Sequence, residues 1–148
     1  MNRGDLFTAK GEYDKALENY NLAINIFNKI NEAVGIIEAE INFGNIYIKQ
    51  NKFSDAEKNL NDALERAKQN GSKNEIKNCY SSLADLGVAK KDYLMAYSNY
   101  KLFSSEKDSM ENDENTKKAT RAEMNYAFDK KTAKEKAQQE KIDLQHQA

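Results

Sequence analysis

Few side chains in this sequence of 148 residues are of the types that perform chemistry. It has one histidine, His146, and one cysteine, Cys79, and it contains no Gly-rich phosphate loop, G-x-S-x-G or H-E-x-x-H motif. One histidine and one cysteine leave too few ligands for a zinc site, and a single cysteine allows no internal disulfide. The acids Asp113 and Glu114 lie in a polar stretch without the apolar pocket that would raise a carboxyl pKa for catalysis. We therefore predict a protein that is not an enzyme and has no cofactor.

The charge and hydropathy of the chain exclude two further classes of partner. With 23 basic and 24 acidic side chains the net charge is −1, so no overall field attracts nucleic acid or anionic lipid. Mean hydropathy is −0.92, and no run approaches the roughly 18 apolar residues of a membrane span. The lysines at 130, 131, 134 and 136 are interpreted as a solvated helix face of mixed charge. Contact with lipid beside a membrane span in a longer chain is the alternative.

A 40-residue repeat is the strongest pattern in the sequence. Small and large residues recur in the same columns: Gly4, Gly44 and Ala84; Ala16, Ala56 and Ala96; Tyr20, Leu60 and Tyr100; Tyr13, Phe53 and Tyr93. The absence of proline and the presence of only six glycines favour helices joined by short turns. Within each unit, apolar residues follow the three- and four-residue steps of an amphipathic helix. The pattern predicts helices at about 2–10, 14–30, 33–50, 54–70, 74–90 and 93–110.

The small residues suggest how these helices pack. Two antiparallel helices of a hairpin approach to about 8–10 Å, and their closest crossing has room only for Gly or Ala. We therefore expect Gly44 and Ala56 to share that crossing in the second unit, with Leu60 filling the volume beside it. The tyrosines of the repeat columns, Tyr13, Tyr20, Tyr93 and Tyr100, are interpreted as core residues. Cys79 lies on the packing stripe and is interpreted as a small buried hydrophobe.

Gly87 departs from its column, where the other units have Phe7 and Tyr47. A glycine inside a helix costs about 1 kcal/mol relative to alanine, so it calls for a reason. The favoured interpretation is that a neighbouring aromatic, Tyr97 or Tyr126, fills the space. The alternative is a small apolar pocket between the third unit and the next helix.

Two segments resemble the tetratricopeptide repeat. Phe43-Gly44-x-x-Tyr47 is similar to its L-G-x2-Y segment, and Ala56-x3-Leu60 to its A-x3-F segment. The resemblance covers residues 3–104 and, at 40 rather than 34 residues, points to a subclass with longer helices. It implies an all-α fold, a right-handed superhelix of antiparallel helical hairpins. The array would occupy residues 1–110, with units at about 1–30, 33–70 and 74–110.

The tail breaks the period. The polar stretch 111–114 is expected to end the sixth helix and to begin a long one at about 113–146, which would cap the array and project beyond it; this second region covers 113–148. The charged motifs at 107–110, 114–118 and 126–131 resemble the junction that follows the repeats in sensor histidine kinases of the Bacteroidetes type. That resemblance implies the input segment of a bacterial two-component signalling protein, typically extracytoplasmic. Because Met1 falls inside a predicted helix, we expect a longer parent chain. The alternatives are a stand-alone cytoplasmic adaptor, or a structural array forming a homodimer through its C-terminal helix.

The resemblance also implies a ligand surface. In tetratricopeptide repeats the first helices of the hairpins line a concave face that binds a peptide or protein segment. The corresponding residues are Asp5, Thr8, Glu38, Ile41, Asn45, Ile48, Asn78, Ser81, Asp85 and Val88, with Arg121, Asn125 and Phe128 from the capping helix. The apolar members favour a binding role, while the alternative is that they only contact neighbouring helices. Ile41 and Ser81 stand where chaperone-binding relatives have lysine, so a free C-terminal carboxylate is not the expected ligand.

Overall fold

Six α-helices account for almost all of the chain in the computed structural model, which describes residues 3–147. They are α1 (Arg3–Ala9), α2 (Tyr13–Lys29), α3 (Ala33–Lys49), α4 (Phe53–Asn70), α5 (Lys73–Ala89) and α6 (Tyr93–Gln147). No β-strand occurs within that range. The prediction of an all-α helical repeat is confirmed, and the first five predicted helices agree with the structure to within a residue or so. The predicted start of the first helix, at residue 2, lies outside the described residues.

The same tight turn separates every pair of helices. Each turn contains one residue with positive φ, and these residues recur at positions 11, 31, 51, 71 and 91. The N–H of the following residue donates to a carbonyl five residues earlier, as in Lys52 to Tyr47 at 2.8 Å and Asp92 to Gly87 at 2.9 Å. This is the hydrogen bond of a Schellman motif, which ends a helix and reverses the chain. Gly and Asn adopt positive φ most readily, whereas Lys91 does so without that preference.

The predicted break at 111–114 is wrong, because α6 continues without interruption from Tyr93 to Gln147. From residue 88 onward the sequence has neither glycine nor proline, and no residue of α6 has positive φ. The left-handed residue that ends each of the other helices is therefore absent from α6. Exposed polar side chains are tolerated in a helix, and pairs such as Lys118–Glu114 at 3.2 Å support it.

The chain divides into two compact units, one ending at Asp108 and the other beginning at Ser109. The first unit contains α1–α5 and the start of α6, arranged as three successive hairpins. The second consists of the remainder of α6, where every described side chain from residue 111 onward is exposed. The core therefore lies in the first unit.

Two clusters of buried side chains form that core. One joins α1, α2 and α3 around Ala16, Tyr20 and Phe43. The other joins α3, α4 and α5 around Ile37, Leu60 and Leu86. Ala16 and Ala56 are completely buried and Ala96 is half-buried, as expected for a packing column. The repeat columns thus mark the contacts between helices.

A glycine approaches a large side chain closely within each of the first two hairpins. A methyl group added to Gly44 would lie 2.5 Å from Cγ of Leu60, and one added to Gly4 would lie 2.7 Å from Cε1 of Tyr20. Each glycine therefore faces the large residue 16 positions later, as predicted for Leu60 beside Gly44, while the shared crossing of Gly44 and Ala56 stays a prediction. The columns pair a small residue with a large one across the hairpin.

In the third hairpin the glycine faces backbone atoms and not a large side chain. A methyl group on Gly87 would lie 2.5 Å from the backbone nitrogen of Ala96 and 2.8 Å from its Cα. The space at Gly87 is thus filled by the backbone of α6. Both interpretations of this glycine, an aromatic from elsewhere and an apolar pocket, were wrong.

Tyr93 and Tyr100 are not core residues, since 67% and 61% of their surfaces are exposed. In the first two hairpins the second helix is covered by the first helix of the next hairpin, α3 or α5. The third hairpin has no further hairpin after it, because α6 continues instead of turning. The earlier tyrosines behave as predicted, with Tyr20 buried and Tyr13 half-buried.

Candidate functional site

A groove with a volume of about 410 Å³ lies along the first helices of the three hairpins. We call it the α1–α3–α5 groove. Its lining residues come from α1, α2, α3 and α5: Asp5, Thr8, Ala9, Tyr20, Asn42, Asn45, Ile48, Lys49 and Asp85. All of them belong to the first unit. Because the repeat places the first helices of successive hairpins beside one another, it brings residues 80 positions apart into one surface.

Hydrogen bonds fix the α1 end of the groove. The Tyr20 hydroxyl donates to Oδ1 of Asp5 at 2.5 Å, and the Thr8 hydroxyl donates to the Gly4 carbonyl at 3.0 Å. The Tyr20 ring passes over Gly4, so the absence of a Cβ there allows Tyr20 to reach Asp5. Burial, together with the hydrogen bond to Asp5, raises the pKa of Tyr20 to about 12. The phenol therefore stays protonated at neutral pH and remains a hydrogen-bond donor.

The α3 part of the groove carries two amide side chains. Asn42 and Asn45 are half-buried, one turn apart, and Lys49 follows on the next turn. An amide offers both donors and an acceptor, so these two side chains suit the backbone of an extended segment. Ile48 adds apolar surface beside them.

Acidic side chains line the groove or lie near it. Desolvation, followed by repulsion from Glu75, Glu32 and Asp5, raises the pKa of Glu38 above its ordinary value. Desolvation also raises the pKa of Asp85, which lies on α5. Glu38 is therefore near enough to Asp5, at the α1 end of the groove, to be repelled by it, although Glu38 does not line the groove itself.

The structure brings together five of the predicted ligand-binding residues: Asp5, Thr8, Asn45, Ile48 and Asp85 line the groove. Ile41 does not belong to this surface, since it is 6% exposed and packs in the core cluster of α3, α4 and α5. Glu38, Asn78, Ser81 and Val88 lie on the same helices but outside the lining. Arg121 and Asn125 lie in the second unit, where they line a separate depression, and Phe128 is exposed there.

Four lining residues were not predicted: Ala9, Tyr20, Asn42 and Lys49. The signal for Asn42 is present in the sequence, because it is a polar residue three positions before Asn45 and so shares a helix face with it. The predicted surface of α3 contains Ile41, one residue before Asn42. One residue corresponds to about 100° around a helix, so the predicted surface is rotated away from the groove by that angle. Tyr20 belongs to a second helix and was assigned only to the core, and no pattern in the sequence indicates that its hydroxyl reaches the groove.

The groups considered for catalysis have other surroundings. Cys79 is completely buried, and burial together with Glu75 and Glu40 raises the pKa of its thiol to about 12. A protonated, inaccessible thiol is not a nucleophile. His146 is exposed near the end of α6. Within residues 3–147 no three or more His, Cys, Asp or Glu side chains are arranged to hold a metal ion.

Comparison with protein families gives one match. Residues 1–69 match the tetratricopeptide repeat model. The match spans α1 to the last turn of α4, which are the first two hairpins of the array. Tetratricopeptide repeats generally mediate protein–protein interactions, and this supports a noncatalytic scaffold. Membership of the 40-residue subclass and the resemblance to sensor kinases stay predictions.

No curated protein and no solved structure has significant similarity to the chain. No helix within residues 3–147 has the length and apolar character needed to cross a membrane.

Proposed function

We propose that the chain is a noncatalytic module that binds an extended segment of a protein partner in the α1–α3–α5 groove. The observation that carries this proposal is the groove itself, which three successive hairpins build from amides, carboxylates and apolar side chains. Binding sites combine apolar surface with a few polar groups that fix the orientation of the ligand. Asn42 and Asn45 would hydrogen-bond the ligand backbone, and Ile48 and Ala9 would contact its apolar side chains.

A selection from a displayed library of random peptides, followed by affinity measurements on the full chain, tests this function. The test variant carries Asn42→Ala and Asn45→Ala. The matched control carries Asn19→Ala and Asn59→Ala, because those amides donate to the Lys15 and Asp55 carbonyls on α2 and α4, away from the groove. Each net hydrogen bond contributes about 0.5–1.5 kcal/mol, so the test variant should bind about tenfold more weakly or worse. Equal affinities of the two variants would contradict binding in this groove.

The finer role that we propose is the input segment of a bacterial two-component protein. It is supported by the charged motifs of the tail, which resemble the segment after the repeats in sensor histidine kinases. It is also supported by the unbroken helix α6, which connects the third hairpin to Gln147. In this proposal the tail relays the liganded state of the array. The genomic reading frame tests it: a membrane span and kinase core downstream would support it, and a stop codon would favour the stand-alone adaptor.

Exposed apolar side chains in the second unit favour one further candidate, self-association through the C-terminal helix. Met124, Tyr126, Phe128 and Leu144 are each at least 66% exposed. Light scattering of the full chain, compared with a Met124→Glu/Phe128→Glu/Leu144→Glu variant, tests this candidate. A dimeric mass that falls to the monomer value in the variant would support it, and a monomeric full chain would exclude it.

A further inference from the structure

The charges that line the α1–α3–α5 groove are mostly negative. Asp5 lies at the α1 end and Asp85 on α5, whereas Lys49 is the one basic side chain among the lining residues. Glu38 is close enough to Asp5 and Glu75 for their repulsion to raise its pKa. Acidic side chains of α1 and α5 therefore line the same groove, and Glu38 of α3 lies near its α1 end.

Three other carboxylates of the first unit are paired with cations. Glu12 pairs with Lys15 at 2.9 Å, Glu40 with Arg66 at 3.2 Å and Glu57 with Lys90 at 3.3 Å. Within residues 3–147 neither Glu38 nor Asp85 lies in an ion pair, and both lose part of their hydration. A cation on a bound ligand would stabilise the charged form of a carboxylate that has lost part of its hydration.

We propose that the segment bound in the groove carries a Lys or Arg side chain that lies between Asp5 and Asp85. This inference rests on the proposed function and deepens it by naming the chemistry of the ligand. The groove defines the site, because its amides and Ile48 contact the rest of the segment, and the carboxylates select the cationic residue. Tyr20 holds Asp5 in position through its hydroxyl. An acidic segment would meet repulsion from the same groups.

An arginine would gain most from this arrangement. Its guanidinium donates several hydrogen bonds in a fixed plane, which suits a carboxylate better than a lysine ammonium does. The polar atoms of Asn42 and Asn45 lie in the same groove and would orient the backbone on either side of the cationic residue. The expected ligand is thus an extended segment with one basic side chain flanked by small or apolar ones.

The test uses the full chain and a displayed library of random 12-residue peptides. The test variant carries Asp5→Asn, Glu38→Gln and Asp85→Asn. The control carries Asp14→Asn, Asp62→Asn and Glu65→Gln, which removes the same charge from exposed positions on α2 and α4. We expect peptides selected on the unmodified chain to contain Lys or Arg at least threefold more often than the library does. The test variant should lose that enrichment and bind those peptides at least tenfold more weakly, while the control variant keeps both.

The outcomes separate this inference from the proposed function. Selected peptides without basic enrichment that still lose affinity with Asn42→Ala/Asn45→Ala would overturn the cationic ligand and leave the groove as the binding site. Peptides that are indifferent to all of these substitutions would overturn both. Equal loss in the test and control variants would mean attraction by overall charge only, and it would also overturn the inference. Circular dichroism of each variant confirms that the helices are intact.

Discussion

Replacing Gly44 or Gly87 by alanine should give a large coupling energy in one double-mutant cycle and almost none in the other. The reason is that the added methyl group meets a side chain at Gly44 and backbone at Gly87. At Gly44 the added methyl meets the Leu60 side chain, 2.5 Å from Cγ. At Gly87 it meets the α6 backbone, 2.5 Å from the Ala96 nitrogen. Truncating the Leu60 side chain removes the clash at Gly44. No substitution of Ala96 removes the backbone atoms that clash at Gly87.

The magnitudes follow from two opposing terms. Alanine gains about 1 kcal/mol of helix propensity over glycine, and overpacking costs about 1–3 kcal/mol or more. Gly87→Ala should therefore lower the free energy of unfolding by up to about 2 kcal/mol. Ala96→Gly removes only the Cβ, at 3.0 Å, and should not relieve the loss. Leu60→Ala alone should cost about 2–5 kcal/mol, since Leu60 is completely buried. In that background Gly44→Ala should become stabilising by about 1 kcal/mol.

Urea unfolding followed by circular dichroism at 222 nm measures these energies, provided that the m-value is unchanged between variants. The cycle for residues 44 and 60 should give a coupling energy of about 1–3 kcal/mol, and the cycle for 87 and 96 should give one near zero. If Gly87→Ala instead stabilises the chain by the full helix-propensity gain, α5 and α6 do not approach as closely as described. The reasoning about small residues would then be refuted.

Three other predictions concern the turns, the core and α6. Lys91→Gly should raise the free energy of unfolding by up to about 1 kcal/mol, since φ there is 61°; no gain in urea unfolding would contradict the strain. The folded pKa of Cys79, about 12, exceeds its ordinary value of 9, so the folded state holds the proton more tightly. The contribution of Cys79 to stability should therefore be constant below pH 9 and decrease as pH rises from 9 toward 12, by about 1 kcal/mol by pH 10; Cys79→Ala should remove most of this alkaline slope. Asn112→Pro should interrupt α6 and lower the helical signal at 222 nm, while Asn112→Ala should preserve it.

Much of the fold could be predicted from the sequence because the same packing contacts between helices recur in the first and second repeat units. Ala16 and Ala56, or Tyr20 and Leu60, occur in equivalent environments, so each column supports the assignment of the next. The turn positions were less evident, because Asn31, Asn51 and Lys91 adopt positive φ without being glycine. They become recognisable only as a series every 20 residues.

The repeat was misleading where the array ends. Tyr100 occupies a core column, but a column is buried only when another hairpin follows, and α6 continues as one helix. Gly87 differs from Phe7 and Tyr47 in its repeat column, and the reason is its close contact with the backbone of Ala96. Neither result depends on local sequence preference, since both depend on which helix comes next.

The groove could be predicted only in part. Asp5, Asn45 and Asp85 were recognised because the repeat aligns the first helices, and a polar residue in an aligned column suggests an exposed face. Ile41 was assigned to the surface although it lies in the core, because a shift of one residue in a helix changes the face. The contribution of Tyr20 depends on a hydrogen bond across a hairpin, which sequence spacing alone does not indicate.

Paramagnetic relaxation enhancement tests the central claim most directly. A selected peptide carrying a spin label beside its basic residue is bound to the isotope-labelled full chain, and the amide signals are compared with those of the reduced label. We expect the strongest broadening at the groove residues Asp5, Thr8, Asn42, Asn45 and Asp85, with the Asn59 signal on α4 much less affected. Broadening confined to α2, α4 or the residues after Ser109 would contradict the assignment of the α1–α3–α5 groove as the binding surface.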